Sequence, residues 1–277
     1  MKIIGYTSQR VNLSYNENQE IVTILTIARK AALGRNISLI HLDSKLGIIR
    51  YVKKANEIRS YQMEGDKILD WGCGHGQMAY LLHNRGLDVT CFDIDKNDSQ
   101  ELPLLNLINK KVHYSEDKIR IPFDASSFDA VLSSGVLEHV EDIALSLKEI
   151  YRILKPQGVF YVFAFPNKYS YIEYLCSKRK GVSHHEVKYS RKQLKRELIT
   201  AGFDVIKIGY DNILPKNFFG FDKLRRIIDS LSFYGLLDRI LLRLPIVNLF
   251  STDIKCIAMK NRCVHIRNKE AIYVNAQ

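Results

Sequence analysis

At 277 residues, with 46% hydrophobic and 26% charged side chains, the chain can fill one α/β core with additions or two small domains. That balance excludes a disordered chain. The formal charge of +11 favours anionic partners (nucleic acid, phosphorylated small molecules or an anionic lipid surface) without choosing among them. Five cysteines (Cys73, Cys91, Cys176, Cys256, Cys263) show neither C-x-x-C pairing nor zinc spacing, so reduced thiols in a cytoplasmic protein are expected and no metal site is read.

Met1 to Asn18 has no apolar signal core. No stretch reaches the roughly 18 unbroken apolar residues of a membrane span. Residues 1–62 form an N-terminal helical segment. Apolar spacing (Ile21, Leu25, Ile27, Ala31) predicts a helix over Glu20–Ala32 that stops near Gly34, and a second over Leu46–Ile58 with Lys53 and Lys54 on its wet side.

The main domain, 63–277, opens on Lys67-Ile68-Leu69-Asp70-Trp71-Gly72-Cys73-Gly74-His75-Gly76. Ile68 and Leu69 read as a short buried strand ending at Asp70. Three alternating glycines follow, then a helix-like run, Met78 to Leu82. Such a turn lets the backbone approach a ligand closely, because no Cβ intervenes, and aims the free N–H groups of the helix start at it. The dinucleotide spacing G-x-G-x-x-G fails, since Gln77 stands where its last glycine belongs. Asp70 would repel a pyrophosphate and suits a ligand carrying positive charge.

Further strands are predicted at Asp88–Phe92, Val112–Tyr114, Ala130–Ser133, Val159–Ala164, Asp204–Gly209 and Asp253–Met259. Helical spacing separates most of them, which argues for βαβ units and a largely parallel sheet. Ser190 with Gln193 has capping-box spacing, and Gly202 closes that helix. Between Ser177 and Arg196 stand eight Lys or Arg and one acid, Glu186. A helical insertion, 212–252, precedes the last strand. Within it Phe218-Phe219-Gly220-Phe221, then Leu224, Ile227, Ile228 and Leu231 interleave with Lys223, Arg225 and Arg226. The run 218–243 is a candidate for peripheral contact with a membrane, or for a lid on its own domain.

The D-x-G-x-G-x-G pattern of Asp70, Gly72, Gly74 and Gly76 resembles the first motif of class I S-adenosylmethionine-dependent methyltransferases. The resemblance continues through Val89–Asp93, Ile121–Asp129, Val136–Val140 and Glu149–Gly158, in the family's order. Within the family, His185–Ser190, Leu194 and Ala201–Phe203 are similar to the ubiquinone-biosynthesis-like, small-molecule type. The resemblance implies a Rossmann-like α/β fold: a seven-stranded, mostly parallel sheet with helices on both faces, an N-terminal helical cap and the insertion. The N-terminal helices would then cap the cofactor pocket or merely cover a sheet face.

The implied cofactor is S-adenosylmethionine. By resemblance, Gly72, Cys73, Gly74 and Gly76 line its methionine and ribose. Asp70 lies near its amino group, Asp93 on the ribose hydroxyls and Asp117 on the adenine amino group; Ile94 and Ser133 complete the set. Methyl transfer is an in-line displacement, so the protein aligns the reactants and removes a proton from a hydroxyl acceptor. His139, Glu138 and the pair His184–His185 are the candidates for that polar work.

The implied activity is methylation, at oxygen, of a small-molecule or a lipid- or saccharide-linked anionic acceptor. An RNA methyltransferase is the alternative that the charge suggests. Against it, Ser133-Ser134-Gly135-Val136-Leu137-Glu138-His139 is neither the Asn/Asp-Pro-Pro-aromatic motif nor a Pro-Cys pair. A non-catalytic cofactor-binding subunit is the third reading. The sequence sets no oligomeric state.

Overall fold

The computed structural model describes residues 16–33, 42, 44–94, 102–178, 185–215 and 234–261. Two helices lead, α1 (Glu17–Leu33) and α2 (Lys45–Arg59). Then β1 (Lys67–Trp71), α3 (Gln77–His83), β2 (Asp88–Asp93), α4 (Pro103–Leu107), β3 (Val112–Tyr114), β4 (Phe128–Ser134), α5 (Ile143–Ile153) and β5 (Leu154–Pro166) build the alternating part. The chain closes with α6 (Tyr171–Ser177), α7 (Arg191–Thr200), β6 (Phe203–Asp211), α8 (Tyr234–Arg243), a 3-10 turn at Val247–Phe250 and β7 (Asp253–Lys260).

The sheet has seven strands in the order β3-β2-β1-β4-β5-β7-β6. Strands β1 to β5 pair in parallel, and β7 runs antiparallel to both β5 and β6. The expected Rossmann-like architecture is therefore present. Central strands read as continuous apolar runs because helices cover both faces. Alternation along β1 sends Ile68 to one buried cluster and Leu69 to the other. Helices α1 to α4 share the first cluster; α5 and α7 share the second.

Strand ends run past the expected bounds by one or two residues, and β5 by more. Its start at Leu154 pairs with Phe128 across a register shift, so the Lys-Pro-Gln-Gly turn is absorbed into the strand as a bulge. Gln157 takes φ +66° there. The Ser190–Gln193 capping box opens α7 as expected.

One expectation fails. Lys53 is exposed, but Lys54 is only 7% exposed, and its Nζ donates to Ser134 Oγ at 3.3 Å. Its ammonium also lies over the rings of Tyr51 and Phe163. Arg50, Lys54 and Ile58 follow one another at four-residue spacing, so all three take the buried side of α2.

No helix among the described residues is long and apolar enough to cross a membrane. Residues 218–233 of the insertion, His184 and Cys263 lie outside the described residues.

Candidate active site

β1 and β2 end side by side, with Asp70 paired to Cys91 and Trp71 to Phe92. Gly72 N and Cys73 N both donate to Phe92 O, which turns the glycine loop across the tip of β2. Three glycines hold φ of +70°, +51° and +78° at Gly72, Gly74 and Gly76. An added Cβ would meet Val136 at 2.4 Å from Gly72 and Leu105 at 2.4 Å from Gly76. At Gly74 it would meet nothing within 4 Å. All three positions thus need glycine for their backbone conformation, two of them also for want of space, and the middle one faces open space.

Asp93 accepts hydrogen bonds from Gly74 N at 2.9 Å and from Ile94 N at 2.8 Å, so the acid on β2 also sets the loop. Asp70 is 2% exposed, and its Oδ2 has no hydrogen-bond partner among the described residues. Burial pushes its carboxyl up to about 7, with the charge of Asp93 adding to the rise. Ser133 Oγ, on the next strand, is likewise buried without a partner among the described residues. Cys73 is buried against Cys91, and this contact, with burial, drives its thiol far up, so it is no nucleophile.

Gly72, Asp93, Ile94 and His139 line one cleft of about 230 Å³ with Trp71, Phe92, Lys118, Val136, Val140 and Glu141. Asp117 is placed elsewhere. Its Oδ1 accepts from Ile119 N and Arg120 N, and it lines a neighbouring hollow with Pro122 and Asp124. Lys118 is the residue of that loop that reaches the cleft.

At the mouth the structure joins three of the polar candidates. Glu138 is buried, His139 Nε2 lies 4.0 Å from its Oε1, and the rings of His139 and His185 are 5.5 Å apart. Their ligand atoms fall within 4.8 Å of one another, close enough to share a cation. His185 Nδ1 is bound to Glu173 Oε1 at 2.9 Å, and its backbone N–H donates to Oε2 of the same carboxylate.

Glu173 raises the pKa of His185, whereas partial desolvation, together with the neighbouring His185, lowers that of the exposed His139. One imidazole is thereby biased toward the cation and the other toward the neutral base, the separation that acid–base work needs. Sequence reasoning missed Glu173 and Lys54. Nothing local marks either: Lys54 meets Ser134 80 residues away, and Glu173 meets His185 across a loop.

Residues 69–162 match the family described as "Methyltransferase domain". Over 130 residues the chain is 28% identical to a ubiquinone biosynthesis O-methyltransferase of Pelagibacter ubique, covering 41% of this chain and 50% of that protein. Over 159 residues it is 29% identical to a mitochondrial arginine hydroxylase of Homo sapiens, covering 52% and 44%. The chain thus spans about half the length of these curated relatives. A crystal structure from Thermotoga maritima, described as a SAM-dependent methyltransferase and possible histamine N-methyltransferase, superposes with a TM-score of 0.56 at 17% identity. It covers 85% of this chain and 98% of its own. That likeness is one of fold.

Proposed function

Because this chain carries a class I S-adenosylmethionine-dependent methyltransferase domain, we propose that it moves a methyl group from that cofactor to the oxygen of an anionic small-molecule or lipid-linked acceptor. The observation that carries the reading is the pairing of Asp70 and Asp93 around the glycine loop. One is a buried acid with an unpartnered oxygen, suited to an ammonium; the other is an acid anchored beside open space at Gly74. The residues therefore fit the cofactor.

When bound, S-adenosylmethionine supplies an electrophilic methyl group on a sulfonium. The protein's own work is alignment and proton handling. Gly72 and Gly76 fix the loop, and Trp71, Phe92 and Val136 give the cleft apolar walls that exclude water. His139, exposed at the mouth and with its pKa lowered by partial desolvation and by His185, is the group there able to take a hydroxyl proton. His185, held by Glu173, orients beside it.

A lipid-linked acceptor is favoured by the exposed apolar side chains of α8 and the turn after it: Leu236, Ile240, Leu244, Ile246 and Phe250. Fold alone does not choose the reaction, and a relative named as a hydroxylase makes the test direct. Tritiated S-adenosylmethionine and cell extract are incubated with the protein, then separated into lipid, small polar, protein and RNA fractions. Label in the lipid or small polar fraction, lost in Asp93→Ala, supports the proposal. Label only in RNA replaces it with the nucleic-acid reading. Cofactor binding with no label anywhere replaces it with a binding role.

A further inference from the structure

Helix α2 bounds a second concavity on the carboxyl edge of the sheet, beyond β5. It encloses about 240 Å³, and its lining includes Arg50, Lys53, Lys54, Asp211, Arg239 and Lys255. Its remaining acids are already engaged. Glu57 holds both Lys207 and Lys255, at 2.7 and 2.8 Å. Asp238 Oδ1 accepts from Ile213 N and Leu214 N, while its Oδ2 lies 4.0 Å from Arg50.

Arg50 is 7% exposed. Its Nη2 donates to Leu214 O at 2.9 Å, but its Nη1 is buried with no hydrogen-bond partner among the described residues. Leaving one arm of a buried guanidinium unpaired costs free energy that an acceptor group would recover. Lys53 and Arg239 approach the same space, and neither pairs with a carboxylate among the described residues. Partial desolvation, then the charge of Arg239, lowers the pKa of the exposed Lys53. Burial raises the pKa of Asp211, which weakens the one acid facing them that makes no ion pair among the described residues.

The hollow is connected to the candidate active site. Lys54 lines it and bonds Ser134 at the tip of β4, next to the segment Gly135–His139. A planar guanidinium flanked by two exposed cations matches a phosphate group, which accepts several charge-assisted hydrogen bonds at once.

We propose that this hollow is a phosphate subsite for the methyl acceptor, with the Nη1 of Arg50 as its buried donor and Lys53 and Arg239 as its charges. The assignment rests on the methyltransferase reading above, since it makes the substrate of that reaction an organic phosphate. The subsite lies between α2, the end of β6 and α8, apart from the glycine loop, so phosphate affinity and cofactor affinity are separate observables.

Binding of inorganic phosphate to the full chain is measured by 31P NMR at constant ionic strength, with cofactor affinity measured on the same samples. The wild type is expected to saturate. The exposed pair Lys53→Ala with Arg239→Ala should weaken phosphate at least tenfold without altering cofactor affinity, and Lys110→Ala, a surface control, should change neither. Arg50→Lys, with fold checked by circular dichroism, should weaken phosphate as strongly. Equal phosphate affinity in wild type and the double variant, or no binding by the wild type, overturns the subsite. Loss of cofactor binding alone, with phosphate intact, overturns the methyltransferase reading instead. Glucose 1-phosphate and farnesyl phosphate are then used as competitors. Displacement by one identifies a sugar or a polyprenyl source; displacement by neither overturns the assignment to an acceptor.

Discussion

Asp70 concentrates the chemistry of the cofactor end in one carboxyl group. Its pKa of about 7 in the folded chain lies above the ordinary carboxylate range because burial disfavours the anion. In the window between those values the folded state holds a proton that the unfolded state has released. Stability must therefore fall as pH rises through it. Urea midpoints of the cofactor-free protein are expected to drop from about pH 4.5 to about pH 7. In Asp70→Asn that slope should disappear, while cofactor affinity falls at least roughly tenfold, about 1.4 kcal/mol. A wild-type midpoint that rises over this window would contradict the buried-acid account.

The two imidazoles at the mouth give a second pH test. With its pKa lowered, His139 stays neutral to below the usual imidazole range, so the acid limb of the kcat profile should sit below that range. His139→Gln should remove the limb and lower kcat by roughly 10²-fold or more. The His185–Glu173 pair acts on stability in the same direction as Asp70. It contributes fully below the ordinary imidazole value, and the contribution is lost as pH rises through the raised value. Glu173→Gln should flatten that dependence.

At the scale of elements, the glycine loop divides into structural and ligand-facing positions. Gly76→Ala puts a Cβ at φ +78° into Leu105, and should cost on the order of 2 kcal/mol or more in chemical denaturation. Gly74→Ala meets no neighbour but still places a side chain at φ +51°, so it should cost about 1–2 kcal/mol, less than Gly76→Ala, while cofactor affinity falls. Equal loss of stability in both would show that the middle glycine is structural too.

Helix α1 is tied down by Arg85, a fully buried guanidinium that donates from Nη1 to Glu20 Oε1 at 2.9 Å and from Nη2 to Oε2 at 3.1 Å. Removing one partner leaves a buried charge uncompensated. Glu20→Gln should accordingly cost about 3 kcal/mol, read as a shift in the guanidinium chloride midpoint at unchanged slope.

For the whole molecule, local chemistry proved the most legible. The β1–loop–α3 turn, the acid ending β2 and the capping box of α7 each lie within a few residues, and each formed where its residues imply. Lys54 was misjudged because a helical pattern with adjacent lysines does not say which of the two turns inward. Ser134, 80 residues away, decides it. Asp117 stands in the expected loop, yet its carboxylate folds back on that loop's own N–H groups and Lys118 reaches the cleft.

By itself, then, the sequence determined the α/β class, the parallel core and the glycine loop with its two acids, because short-range periodicity and turn chemistry govern them. Tertiary structure alone decided which distant charges share a space. The antiparallel return of β7 between β5 and β6 sets Asp211 and Lys255 opposite α2, and the long-range contacts of the loop before α7 bring Glu173 to His185 and His185 to His139. Such meetings depend on chain topology over tens of residues, where no local pattern operates.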